Sequence, residues 1–299
     1  MNIHETIKHL ILTGWLAVLT PALAVTNTPA HTYPSGKEIA MKIGNDLVAT
    51  LDPKFQKILN PEAISMQESA APVIAPVQGN RRGVPCQLSV STGFIDLINH
   101  IAHAKAIDRI QPGYFSQYVA LLSQEGAKGH PALPPNLDDS RYWTEAVMQD
   151  QTSFFNQMIS ITLALNLSHL YLEHYDKYAV HMADGTPAPI NNFIVPEEWE
   201  DSVKYATLNS LDCALGTAGA EALFDCIDQM RLRPSWTGYI VPQGVNIKKL
   251  DTQLSQYEHE YYHGGRAFLN PRQTSPLVAG KDRTPLPLAS QSLVHNYNP

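Results

Sequence analysis

The chain has 299 residues, 44% of them hydrophobic and 16% charged, with a formal net charge of −7. That length and apolar share suffice for one large domain or two small ones with a substantial core. An acidic chain without basic blocks lacks the electrostatic footprint of a nucleic-acid binder, and no polybasic amphipathic segment is offered to an anionic membrane.

The first residues predict a destination. Lys8 precedes an apolar run from Leu10 to Leu19, followed by Pro21-Ala22-Leu23-Ala24. A basic start, a short hydrophobic stretch and a small-x-small end predict a secretory signal peptide over residues 1–24, cut after Ala24. An uncleaved membrane anchor is the alternative, but a span needs about 20 apolar residues and this run is shorter. The expectation is a periplasmic or secreted protein with no transmembrane span in the mature chain. In an oxidising compartment the three cysteines allow one bridge. Cys213 and Cys226 are the expected partners and Cys86 the free thiol, with three reduced cysteines as the alternative.

Helical periodicity dominates from there. Ser35 can cap a helix with Ile39, Ile43, Leu47 and Leu51 on one side, which must stop before Pro53. Residues 60–90, with Pro61, Pro72, Pro76, Gly79, Gly83 and Pro85, read as a long loop. Ser91 or Thr92 opens the next helix, with Phe94, Ile98 and Ile101 facing inward, and Gln111-Pro112-Gly113 ends it. Tyr114 to Glu125 makes another, before a second proline-rich loop over 126–139.

A long helical region spans roughly Ser140 to His181 and closes at Asp184-Gly185, Pro187 and Pro189. Pro196 begins a further stretch with Glu197, Glu198 and Glu200 in its first turns, reaching Met230 with a break near Gly216. Arg233 to Gly244 is loop, within which Tyr239-Ile240-Val241 could form one short strand. The final helix runs from Val245 to His263, where Gly264-Gly265 stops it. Residues 264–299, with Pro271, Pro276, Pro285 and Pro287, form a coil tail. With no alternating strands, the expected fold is all-α: a multi-helix bundle over 25–263 with long Pro-rich loops.

One segment names a chemistry. In His259-Glu260-Tyr261-Tyr262-His263 the imidazoles stand four residues apart, one turn above the other on the same side of a helix. Ile247, Leu250, Leu254, Tyr257 and Tyr261 form that helix's core stripe, and the histidines lie nearly opposite it. Over these five residues the helix resembles that of zinc-dependent proteases. The resemblance implies Zn2+ on His259 and His263, with Glu260 as general base toward a metal-bound water. The third ligand of those enzymes is missing from its usual place. No glutamate follows Glu260, Arg266 and Leu269 stand where the extended pattern has Gly and His, and Asp282 and His295 are the downstream substitutes. Glu260-x-x-His263 also matches one element of di-iron bundles, which require it twice.

Other polar groups could complete such a site. Thr162, Asn166, His169 and Glu173 fall at i, i+4, i+7 and i+11 and draw one polar stripe along an otherwise apolar helix. A His–Glu pair at this spacing can chelate a metal. The alternative is a core hydrogen-bond network in which His169 donates to Glu173. His100 and His103, with Asp96, form either a solvated face or a ligand reserve, and Glu221 and Asp225 are a further pair of the same kind. Gly216 and Gly219 beside them read as close helix packing. Two functions follow as expectations. One is an exported zinc hydrolase with His259, His263 and either His169 or Glu173 as ligands. The other is a non-enzymatic helical envelope protein that binds a partner, with or without a metal.

Overall fold

The computed structural model describes Tyr33 and residues 36–78, 85–124, 131–178 and 189–263. The expected signal peptide and the Pro-rich tail lie outside the described residues. So do the third-ligand substitutes Asp282 and His295.

Within them the chain is broadly helical. The helices are α1 (Gly36–Thr50), α2 (Pro53–Gln56), α3 (Thr92–Asp108), α4 (Tyr114–Gln124), α5 (Glu145–Tyr171), α6 (His174–Lys177), α7 (Pro196–Asp212), α8 (Ala218–Asp228) and α9 (Ile247–His263). At about 1.5 Å per residue α5 extends for roughly 40 Å. Every residue from Met158 to Tyr171 is buried, so α5 is the axis of the molecule. It packs against α1, α3, α7 and α8, while α9 lies outside, on α7 and α8. No helix among the described residues is long and apolar enough to cross a membrane.

The fold is not purely all-α. The segment expected to be loop holds strands β1 (Ile64–Gln67), β2 (Ile74–Gln78) and β3 (Pro85–Ser91). Their order is β1-β3-β2, with β3 parallel to β1 and antiparallel to β2. Ile64 lies opposite Leu88 and Ile74 opposite Val90, and all four are buried. The prolines that suggested a loop occupy the places a sheet allows. Pro76 is on an edge strand and Pro85 is the first residue of the central one, where a missing N–H costs little.

Two smaller features differ from expectation, and one agrees with it. Tyr239 ends a 3-10 turn over Ser235–Tyr239 instead of starting a strand. Its carbonyl accepts from Asn166 Nδ2 at 2.9 Å, and that of Ile240 accepts from Trp199 Nε1 at 3.2 Å. These carbonyls therefore serve side chains of α5 and α7 rather than a ladder. The α7–α8 break falls at 213–217, around Gly216 as expected, and Ala214 there takes φ 59°. Cys213 and Cys226 are free rather than bridged, as is Cys86. Cys213, at the end of α7, has its Sγ 3.5 Å from Thr50 Oγ1, and its thiol is pushed up to about 11 by burial. Cys226 is sealed within α8, and burial pushes its thiol higher still.

Candidate functional site

On α9, Ile247, Leu250 and Leu254 face the core, as the periodicity predicts. His259 and His263 are exposed on the far side. Their rings stack with centroids 4.2 Å apart and planes 22° apart. His263 Nδ1 stands 3.0 Å from the His259 carbonyl oxygen. A carbonyl can only accept, so Nδ1 carries the ring hydrogen and the lone pair sits on Nε2. Glu260 accepts from Gln256 Nε2 at 2.7 Å.

The other predicted residues sit elsewhere. Glu173 is exposed, because α5 ends at Tyr171 and Glu173 adopts a left-handed conformation, φ 61°. The i, i+4 geometry that would pair it with His169 is thereby lost. The same reversal turns α6 back and sets His174 against His169, their Nδ1 atoms 3.0 Å apart. Ser202 of α7 completes a triangle, with Oγ 3.3 Å from His169 Nδ1 and 3.4 Å from His174 Nδ1. Its hydroxyl donates to the Glu198 carbonyl at 2.9 Å.

This cluster is buried. His169 and Ser202 are fully buried, and His174 keeps 7% exposure. Burial, and then the neighbouring His174, hold His169 down to about 3. Burial likewise lowers His174, against the pull of Glu198 and Asp201. His169 Nε2 and both side-chain polar atoms of Asn191 are buried without a hydrogen-bond partner. Asn191 lies near enough to favour the charged imidazole slightly, but the two are not aligned for a full hydrogen bond. At the rim, Glu198 accepts from Tyr178 at 2.7 Å and pairs with Lys177.

His103, expected on a polar face, is buried. Its Nε2 lies 2.7 Å from the Tyr142 carbonyl, and its Nδ1 lies 3.0 Å from the Tyr33 hydroxyl. Tyr33 also packs edge-on against His100, which burial and then His103 lower to about 4. Asp96 is exposed. Glu221 and Asp225 face α9 in an acidic group with Asp251 and Asp228, tied by Thr217 and Ser255 to Glu221 and by Thr217 to Glu258.

His259, His263, His169 and Glu173 thus fall into three places. Two stack on the surface of α9, one lies inside the α5–α6–α7 junction, and one points to water. Among the described residues no three of His, Cys, Asp and Glu converge as a metal group. His174 and Ser202 were not singled out from sequence. No sequence signal marks them, because their approach depends on the left-handed backbone at Glu173. Compared with models of protein families, with characterised proteins and with solved structures, the chain matches none.

Proposed function

We propose that this is an exported helical binding protein whose α9 takes up a divalent transition metal, Zn2+ first, between His259 and His263. The supporting observation is the orientation of His263. Its Nδ1–H is committed to the His259 carbonyl, which directs the Nε2 lone pair outward, as ligating histidines commonly are directed by a backbone acceptor. The neighbouring ring lies within 4.2 Å, and a turn of the stacked His259 ring would bring both lone pairs onto one ion. Both rings are exposed, leaving water or a partner's side chain to fill the remaining coordination positions.

Zinc titration of the chain purified without chelator tests this reading. The double variant His259→Ala/His263→Ala should bind one equivalent less than wild type, and His263→Ala alone should weaken that equivalent by at least about tenfold. Equal zinc uptake by wild type and double variant refutes it.

A hydrolase remains the second reading, supported by Glu260 directly after His259. It requires a third ligand, and the glutamate would then take a proton from the metal-bound water. Peptide or ester turnover by the zinc-loaded chain, abolished in Glu260→Gln with zinc retained, would establish it. No turnover by a loaded wild type removes it.

A further inference from the structure

We propose that His169, His174 and Ser202 form a second metal site, inside the protein and distinct from α9, built for a divalent ion in tetrahedral coordination. Three donor atoms face one another across edges of 3.0, 3.3 and 3.4 Å. A tetrahedron with bonds of about 2.0 Å has edges of about 3.3 Å, so an ion slightly out of the plane of this triangle reaches all three at zinc-like distances. Water entering beside His174, the least sealed of the three, supplies the fourth ligand.

Hydrogen-bond bookkeeping favours the ion over a proton. Ser202 gives its hydrogen to the Glu198 carbonyl and presents only lone pairs to the imidazoles. Without metal, a hydrogen on one Nδ1 must serve both the other Nδ1 and the Ser202 oxygen. With metal, both Nδ1 lone pairs and that of Ser202 are used. The ring hydrogen of His169 then sits on Nε2, and the nearby Asn191 amide oxygen would be its acceptor. Of the three unpartnered atoms, His169 Nε2 and Asn191 Oδ1 would then be paired, in the manner of a metal-bound histidine's outer support, and Asn191 Nδ2 would remain.

Local backbone and charge agree. His174 reaches the triangle only because Glu173, a residue with a Cβ, holds the left-handed conformation, and such strain of about 1–3 kcal/mol gathers at functional sites. The carboxylates of Glu198 and Asp201 lie on the side of His174 and offset a cation's charge, against Lys177.

The test uses the full chain carrying His259→Ala and His263→Ala, so that surface chelation is absent and the α9 reading can fail or hold independently. Cobalt is the probe, because tetrahedral Co2+ absorbs strongly in the visible and octahedral Co2+ does not. The expected result is one tightly held Co2+ per chain with intense visible bands, displaced by zinc. In the same background His174→Gln should bind at least about 100-fold more weakly, and Ser202→Ala should shift the bands and weaken binding about tenfold. Circular dichroism confirms that each variant is folded, and the Ser202→Ala result stands should His174→Gln not fold. Failure of the folded double variant to hold Co2+, or unchanged bands and affinity in Ser202→Ala, overturns the proposal.

Discussion

Asp251 illustrates how one side chain can work against the fold. It lies on α9 facing Glu221, Asp225 and Asp228, and its Oδ1 has no hydrogen-bond partner. Burial first, and then those three acids, push its carboxyl up to about 6 from 3.8. A folded value above the unfolded one means that the native state prefers the protonated form. The penalty is therefore absent at low pH and grows as pH rises from about 4 to about 6. Asp251→Asn should stabilise the protein near pH 7.5 and lose that advantage near pH 3.5. Much of the side chain is open to water, so the gain should stay below about 1 kcal/mol. Urea midpoints of both proteins at the two pH values decide it, and a stabilisation that is independent of pH would mean that packing, not charge, is responsible. The same scale shows why His174 escaped sequence reading. A four-residue spacing placed His169 beside Glu173, which assumed an unbroken helix. The left-handed backbone at Glu173 is a property of a single φ angle, with no glycine to announce it.

Helices were more legible than strands because their signals are redundant. Ser91 was named as a possible cap of α3, and its Oγ accepts from Phe94 N at 3.1 Å. Pro196 stands in the first turn of α7, as its fixed φ favours. The sheet had no such redundancy: its strands are four to seven residues long and two of them carry proline. Gly219 links the two levels. A Cβ there would lie 2.5 Å from Gln157 Cβ and 2.9 Å from the Phe154 carbonyl oxygen, so α8 meets α5 through the absence of a side chain. Its N–H donates to Gln157 Oε1 at 2.7 Å, fixing the approach. Gly219→Ala should destabilise by about 1–3 kcal/mol, because the backbone carbonyl cannot move aside cheaply. Gly216, where the closest atoms are 3.8 Å away, has room for a methyl, so Gly216→Ala serves as the control. Equal urea midpoints for the two variants would show that the α5–α8 contact yields without cost.

Across the whole molecule the buried imidazoles set the response to acid. His169 is held to about 3 and His100 to about 4, against 6.5 when exposed. Folded values below the unfolded one mean that the unfolded chain binds protons first. The stability from burying these rings neutral is complete above pH 6.5 and is lost as pH falls. Between about 6.5 and 4 each ring removes about 1.4 kcal/mol per pH unit. Two rings together would remove about 7 kcal/mol over that window, from about half to all of a net stability of about 5–15 kcal/mol. The raised carboxyls of Asp251, Glu221 and Asp225 act in the opposite direction, since they are relieved by protonation. They are more exposed than the two histidines, so their contribution is smaller and the histidines prevail. The protein should therefore lose stability steeply below pH 6, even though its acidic surface alone would suggest tolerance. His100→Gln should flatten the profile by about half, since Gln has no proton to take up and roughly fits the ring's place beside Tyr33. Urea midpoints followed from pH 7 to 4.5 measure both slopes. A wild-type midpoint that holds steady or rises toward pH 4.5 would mean that these rings are not buried neutral, and the lone pairs needed by a metal at His169 would not be free.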